Sequence, residues 1–345
     1  MESKEIATIA SLHYINDSSP GITRKRSGKK FNYYYPDGTR VTDEKTVERI
    51  NSLAIPPAYN KVWISPLANG HIQATGRDSK NRKQYRYHPL WRKVREEDKF
   101  KNMIPFGKAL PKIRKHIEEE LNKPLTINKN QIICAIIYLL DNHFIRIGNA
   151  IYEKQNKSYG LTTLRKKHLS ISSTQAVLEF DGKNAKPWHI VLKDEKIIKL
   201  LKKCEALPGY RLFKYIDESN NHCEITSQDI NTYLNELTKH PFTAKDFRTW
   251  GACRETFYRL TQTHFTDEDS SQSSLKTIIC EVATLLGHTP AICQKSYIYP
   301  EIITQWKGTQ IKEWIAKQSK LMEDKDKLLL RWLEAQLTSK DVIQK

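Results

Sequence analysis

Gly287-His288-Thr289-Pro290-Ala291-Ile292-Cys293-Gln294-Lys295-Ser296-Tyr297 reads as a helix with chemistry at both ends. Thr289 is a good N-cap, and Pro290 suits the first helical turn, where a missing N–H is no loss. His288 therefore stands just before a helix N-terminus, where the backbone field favours an anion. Tyr297 follows within the same expected helix, 289–299. Upstream, helical spacing of apolar residues dominates from Leu90 onward. It predicts further helices over 91–100, 108–122, 129–143, 149–155, 195–207, 227–238, 244–262, 274–286 and 309–337. One stretch breaks the pattern. Between Lys167 and Lys193, Leu169-Ile171, Val177-Leu178-Phe180 and Trp188-Ile190-Leu192 alternate around a turn at Asp181-Gly182-Lys183-Asn184. That is a small antiparallel sheet inside a helical region, with Lys183 at a hairpin tip. The serine-rich, acidic run 266–274 reads as a mobile loop.

The first ninety or so residues carry strand signals instead. Phe31-Asn32-Tyr33-Tyr34-Tyr35 faces Thr39-Arg40-Val41 across Pro36-Asp37-Gly38, a hairpin turn. A short helix is expected over 43–53, then strands at Val62-Trp63-Ile64, Ile72-Gln73-Ala74 and Gln84-Tyr85-Arg86-Tyr87. The expected fold class is α+β: a β-rich N-terminal domain, 1–92, and a larger, mainly α-helical domain with a small antiparallel sheet, 93–345.

Composition narrows the partners. The chain has 57 Lys and Arg against 39 Asp and Glu, a formal charge of +18 over 345 residues. Such an excess favours polyanions, above all nucleic acid. The longest apolar run, Ile132 to Leu140, falls far short of the ~18 residues of a membrane span and suits a buried helix. Met1-Glu2-Ser3-Lys4-Glu5 lacks the plan of a signal peptide. Six scattered cysteines form no Cys-x-x-Cys pair, so neither a zinc site nor a disulfide framework is expected, and a reducing compartment is. No phosphate-loop motif is present, so ATP use is not expected. No cofactor and no membrane partner are expected.

Read in chain order, four segments contribute Arg146, Lys183, Arg248, His288 and Tyr297. Breaking a phosphodiester without a metal needs an in-line nucleophile, groups that stabilise the phosphate charge, and a proton for the departing oxygen. Tyr297 is the candidate nucleophile; its phosphate ester would also be a fair leaving group, which makes the cut reversible. Tyr299 is its rival. Arg146 and Arg248 offer two-pronged donation to phosphate oxygens. Each lies among apolar neighbours, and a charge there needs a partner. His288 can donate one hydrogen bond to the phosphate. Lys183 is the candidate general acid, its pKa expected to fall between two arginines. Together the five predict a tyrosine that cuts and rejoins a nucleic-acid backbone.

A second signal is Gly76-Arg77-Asp78-Ser79-Lys80-Asn81-Arg82-Lys83-Gln84-Tyr85-Arg86-Tyr87-His88. Here basic residues interleave with tyrosines. On a strand, Gln84, Arg86 and His88 share one face, and Lys83, Tyr85 and Tyr87 the other. Lys and Arg would contact backbone phosphates, and Gln a base edge or a phosphate. A solvated basic strand edge is the alternative reading.

With these motifs in view, the chain resembles the type IB DNA topoisomerases, in particular the small poxvirus-like branch that also occurs in bacteria. The resemblance rests on Asp78 to Tyr87, Phe144-Ile145-Arg146-Ile147-Gly148, Gly160-Leu161-Thr162-Thr163-Leu164, Gly182-Lys183, Lys245-Asp246-Phe247-Arg248-Thr249-Trp250-Gly251 and Gly287-His288-Thr289-Pro290. It implies a C-clamp around double-stranded DNA and a 3′-phosphotyrosyl link to Tyr297. Arg146, Arg248 and His288 would hold the scissile phosphate, with Lys183 as acid and Arg146 assisting. Arg82, Lys83, Gln84, Tyr85, Tyr87, Tyr152 and Lys245 would touch DNA. It also implies relaxation of supercoils by a monomer, in the bacterial cytoplasm with the nucleoid, or in the virion or at the site of viral DNA replication. Two departures bear on sequence preference. Asn149 and Ile151 replace basic positions of the viral members, and an arginine near their nucleophile is lost within Gln294-Lys295-Ser296.

A tyrosine recombinase would use a similar set of five. Such enzymes typically carry His-x-x-Arg at the second arginine, where this chain has Lys245-Asp246-Phe247-Arg248, and they lack the 78–87 signature. A non-catalytic DNA clamp would bind plasmid without relaxing it. Supercoils of both signs should therefore relax in EDTA without nucleotide; an absolute need for magnesium or ATP in a plasmid assay would sink this reading.

Overall fold

The computed structural model describes residues 3–28, 30–263, 268–317 and 324–343. The chain divides into two compact units, Met1–Lys101 and Asn102–Lys345. In the first, helix α1 (Ser3–Ile9) precedes strands β1 (Ile22–Ser27) and β2 (Lys30–Tyr34), helix α2 (Glu44–Ser52), strands β3 (Asn60–Ile64), β4 (Ile72–Arg77) and β5 (Lys83–Tyr87), and helix α3 (Pro89–Lys101). The five strands form one antiparallel sheet in the order β2-β1-β3-β4-β5. Ile22, Val62, Ile64 and Ala74 meet Val41 and Ile50 in its core. Asp43 caps α2 by accepting from the Thr46 N–H. Trp91 of α3 packs with Ile6, Ala7, Ala10 and Leu12. That packing keeps α3 in the first unit, so the unit ends at Lys101 and not where strand signals give way near residue 92.

Strand β1 and helix α1 escaped the sequence reading. Only Ile22 of β1 is fully buried, and Thr-Arg-Lys-Arg-Ser follows, so no apolar alternation shows. Its Arg24 instead donates to the carbonyls of Ile55, Pro56 and Tyr59, tying the sheet to the loop before β3. Consequently β2 pairs with β1, and the expected hairpin to Thr39–Val41 reduces to a single bridge, Tyr34 with Arg40.

The second unit is mainly helical. It runs through α4 (Met103–Asn122), α5 (Lys129–His143) and α6 (Ala150–Asn156), then strands β6 (Leu169–Ile171), β7 (Ala176–Asp181) and β8 (Pro187–Leu192). Helix α7 (Glu195–Ala206), strands β9 (Lys214–Ile216) and β10 (His222–Glu224), and helices α8 (Ser227–Thr238) and α9 (Ala244–Thr261) follow. Helices α10 (Glu268–Leu285), α11 (Pro290–Ser296), α12 (Pro300–Lys307), α13 (Gln310–Ala316) and α14 (Lys325–Ile343) complete it. The expected three-stranded sheet forms, in the order β6-β7-β8. Helix α5 is buried on nearly every side from Gln131 to Asp141, as a helix apolar all round must be. Around it Phe106 stands edge-on to Phe242 and Phe247.

Three expectations change. The helix expected over 289–299 ends as α11 at Ser296, with Tyr297 as its C-cap, and α12 begins at Pro300. The loop expected at 266–274 is helix α10 from Glu268 onward; Thr266 and Asp267 lie outside the described residues. Acidic and serine residues suit a first helical turn as well as a loop, so composition alone did not separate the two. The Ser271 carbonyl accepts from the Trp306 indole of α12, a tertiary contact that fixes this turn. The single helix expected over 309–337 appears as α13 and α14, with 318–323 outside the described residues. Among the described residues, no helix is long and apolar enough to cross a membrane.

Asp326 anchors α14. It accepts from the Trp250 indole at 2.6 Å and from Arg114 at 2.7 Å, with Arg254 at 3.4 Å. Burial alone would raise its pKa, but Arg254 and Arg114 outweigh burial and hold it below the ordinary carboxylate value. The unfolded chain thus binds this proton more readily than the folded one, so the contribution is full at neutral pH and fades as pH falls below about 4. Asp326→Ala should cost about 3 kcal/mol by urea unfolding at pH 7, and the difference from wild type should shrink in acid.

Candidate active site

Arg248 lies one turn into α9. Thr243 starts that helix: its hydroxyl accepts from the Lys245 N–H, and the Asp246 carboxylate accepts from the Thr243 N–H and hydroxyl. Asp246 is thus a capping residue. Arg248 itself is 3% exposed. It donates to the carbonyls of Phe144 and, at 2.7 Å, Leu286. Phe144 caps the C-terminus of α5 in a left-handed conformation, and Leu286 follows the end of α10. One guanidinium therefore satisfies orphan carbonyls at two helix C-termini, where a cation is favoured.

Arg146 is half-buried, two residues beyond that cap. One of its terminal nitrogens reaches the His288 ring, 2.8 Å from Nε2. The other, Nη1, is buried without a hydrogen-bond partner, as is Nε of Arg248. Burial pushes the pKa of Arg146 down. Burial, then the nearby Arg146 charge, pushes Arg248 down to about 10, so both stay charged near neutrality. Among the described residues, neither arginine is paired with a carboxylate. The site holds uncompensated positive charge with open donors, the arrangement an incoming anion would satisfy.

Tyr297 closes the end of α11, and its N–H donates to the Cys293 carbonyl. The Arg248 guanidinium stands 5.4 Å from its ring centre, and the His288 ring is 4.5 Å away. Its phenol is also a hydrogen-bonding partner of Arg248. Tyr299, the rival, caps α12 and stands edge-on to Trp332, with burial raising its pKa. The two tyrosines therefore face different surroundings. Cys253, a buried thiol on α9, was not legible as part of this region. It donates to the Tyr297 carbonyl and accepts from the Tyr299 N–H, both at 3.2 Å, and so holds the chain between the two tyrosines.

Lys183 sits at the β7–β8 tip, exposed, with Asn184 and Ala185 in left-handed conformations. Its charge and that of Lys186 act on His288, so the hairpin lies near the histidine. Lys186 is a second hairpin cation that the sequence reading passed over; a second lysine in the same turn was the available signal. Tyr152 is 60% exposed on α6, and Lys245 is exposed at the start of α9.

In the first unit, the strand expected over 84–87 is β5, which starts at Lys83, with Tyr85 and Tyr87 stacked and Lys83 5.3 Å from the Tyr85 ring centre. Arg82 and Gln84 both donate to Asp78 in the turn before β5. The bond from Arg82 draws the Asp78 carboxyl down to about 2. Lys83 pairs with Asp17 at 2.5 Å.

His288 follows from these charges. Burial, then Arg146, Arg248 and Lys183, push its pKa down to about 3. The geometry agrees, since a ring nitrogen accepting from Arg146 carries no proton. The unfolded chain takes up this proton near pH 6.5 and the folded one only near 3, so stability falls as pH drops through that window. Ring NMR of the free protein should show His288 neutral throughout the physiological range, and Arg146→Ala should move its titration upward. An ordinary titration near 6.5 in the wild type would contradict this placement.

The model of the eukaryotic DNA topoisomerase I catalytic core matches residues 88–325, and that of the bacterial DNA topoisomerase IB N-terminal domain matches 30–78. The DNA topoisomerase 1B of Acanthamoeba polyphaga mimivirus is 38% identical over 290 residues, covering 81% of this chain and 85% of that protein. The DNA topoisomerase I of Monkeypox virus and the DNA topoisomerase 1B of Vaccinia virus (strain Western Reserve) are each 26% identical over 307 residues, covering 82% of this chain and 92% of theirs.

Proposed function

The chain belongs to the type IB DNA topoisomerases, and we propose that Tyr297, Arg146, Arg248, His288 and Lys183 carry its reaction. The phenol oxygen of Tyr297 attacks a backbone phosphorus and gives its proton to water. A bond from phosphorus to the tyrosine oxygen forms as the bond to the 5′ oxygen breaks. Lys183 passes its ammonium proton to that departing oxygen, since an alkoxide leaves poorly. One diester replaces another, so the strand can rotate and the reverse step can reseal it without ATP.

The observation that carries this reading is the buried Arg248 and half-buried Arg146 beside one tyrosine, each with an open buried donor and, among the described residues, without a carboxylate partner. Arg146 and Arg248 would take the non-bridging oxygens as the negative charge grows. The neutral ring of His288 keeps one N–H to give to the phosphate. For that, Arg146 must exchange its bond to the ring for one to the phosphate. Exposed Tyr152 and Lys245, together with Arg82, Lys83, Gln84, Tyr85 and Tyr87, would contact the duplex. Binding of Arg82 or Gln84 would draw on side chains that Asp78 now holds. The enzyme acts as a monomer, because one strand is cut at a time by one tyrosine. It works where double-stranded DNA lies: the cytoplasm with the nucleoid in a bacterium, or the virion or the site of viral DNA replication. A recombinase would instead need several active sites acting together.

Tyr297→Phe removes only a hydroxyl, so folding and non-covalent DNA binding should survive while the covalent adduct vanishes. Lys183→Ala should slow cleavage by ~10²–10⁴-fold. A substrate with sulfur in place of the bridging 5′ oxygen should largely rescue Lys183→Ala, because a thiolate leaves unprotonated, and should leave Tyr297→Phe inactive. Adduct formation by Tyr297→Phe would turn attention to Tyr299. Failure of sulfur to rescue would make Lys183 a DNA contact.

A further inference from the structure

The hairpin that carries Lys183 and the turn that carries His288 come from distant parts of the chain, yet one indole touches both. Trp188 lies on β8, paired across the strands with Phe180 of β7. The two rings stack nearly parallel, 4° apart in plane, with centres 6.1 Å apart. A methyl group on Gly182, the residue before Lys183, would come within 2.6 Å of Trp188 Nε1. A methyl group on Gly287, the residue before His288, would come within 2.6 Å of Trp188 Cζ2. Real side-chain carbons do not approach so closely, so both glycines leave the room that the indole fills. Gly287 also has a φ of +60°, which independently suits glycine.

The two sides of this contact differ in how they are held. The Gly287 and His288 N–H groups donate to the carbonyls of Thr284 and Ala283 at the end of α10, and His288 also meets Arg146. That turn is anchored without the indole. At the hairpin tip, the Gly182 N–H donates to Lys186 and the Ala185 N–H to Gly182, bonds internal to the hairpin. The Tyr159 N–H also donates to the Asp181 carbonyl just before Gly182, which ties the end of β7 to the 159–161 segment. None of these bonds joins the tip to the His288 turn.

We propose that Trp188 is a positioning residue that registers the Lys183 hairpin against the His288 turn, so that the lysine ammonium meets the departing 5′ oxygen. This rests on the reading of Lys183 as the general acid. Trp188 does not touch the reacting atoms; it acts through the backbone of Gly182. Losing it should therefore impair proton delivery and leave the nucleophile and the phosphate-binding arginines in place.

The test is single-turnover cleavage of two duplexes, one with the ordinary 5′ oxygen at the scissile phosphate and one with sulfur there. Wild type, Lys183→Ala, Trp188→Ala and Gly182→Ala are compared, with DNA affinity and thermal unfolding measured alongside. Trp188→Ala should cleave the oxygen substrate more slowly by on the order of 10²-fold, the scale of a displacement of about 1 Å. It should cleave the sulfur substrate at close to the wild-type rate, with unchanged DNA affinity. Gly182→Ala retains the indole but presses a methyl group against it, and should show the same oxygen-specific defect; it carries the test if Trp188→Ala does not fold. Equal slowing on both substrates, or wild-type rates on both, would overturn the inference. If sulfur rescues Lys183→Ala but not Trp188→Ala and Gly182→Ala, the positioning role alone fails. If it does not rescue Lys183→Ala, the assignment of the acid fails first and this inference with it.

Discussion

The site depends on a charge buried without a counter-charge. Taking a guanidinium out of water costs several kcal/mol unless its donors are met. Arg248 meets two of them with the carbonyls of Phe144 and Leu286 and keeps Nε open. A carboxylate partner would have lowered the burial cost further, but it would also have cancelled the field. Carbonyls at two helix ends stabilise the cation and leave its net charge available. The same two bonds join α9 to the ends of α5 and α10, and so bring Arg146 and His288, which lie just beyond those ends, to one place.

The neighbouring groups respond to that charge in order. His288 stays neutral because it is buried beside Arg146 and Arg248. A neutral ring can accept from Arg146 in the free protein and still offer its own N–H to an anion, whereas an imidazolium beside two guanidiniums would add repulsion. Tyr297 lies against both Arg248 and His288, and Cys253 ties the backbone that follows it to α9. The exposed Lys183 hairpin is the outlying member, and Trp188 is the contact between it and the His288 turn.

The first unit shows the opposite use of charge. Its basic strand β5 is offset by carboxylates, Asp78 on Arg82 and Gln84, Asp17 on Lys83. Partly exposed pairs of this kind contribute little to stability and exchange readily. They hold long side chains in place, Lys83 on the strand face that stacks Tyr85 on Tyr87 and Gln84 on the other.

Much of this was legible in the amino-acid sequence because the signals were local. Helices α5 and α8 have the expected bounds, since Asn128 and Thr226 accept from backbone N–H groups at their starts and the apolar period persists between the caps. The β7–β8 hairpin was readable from alternation and a glycine turn, and the candidate set Arg146, Lys183, Arg248, His288 and Tyr297 was assembled from residue type and order. What tertiary structure alone decided is non-local. Strand β1 is a strand because Ile22 is buried and Arg24 finds three carbonyls, although its composition shows no alternation. Residues 268–274 are helical where their composition suited a loop, with the Ser271 carbonyl bonded to Trp306 thirty-five positions away. Asp246 caps a helix, Cys253 spans two tyrosines, and Trp188 fills the room beside two glycines. A linear pattern encodes periodicity and caps; it does not encode which distant carbonyl or ring will meet a given side chain, because that depends on packing the helices first.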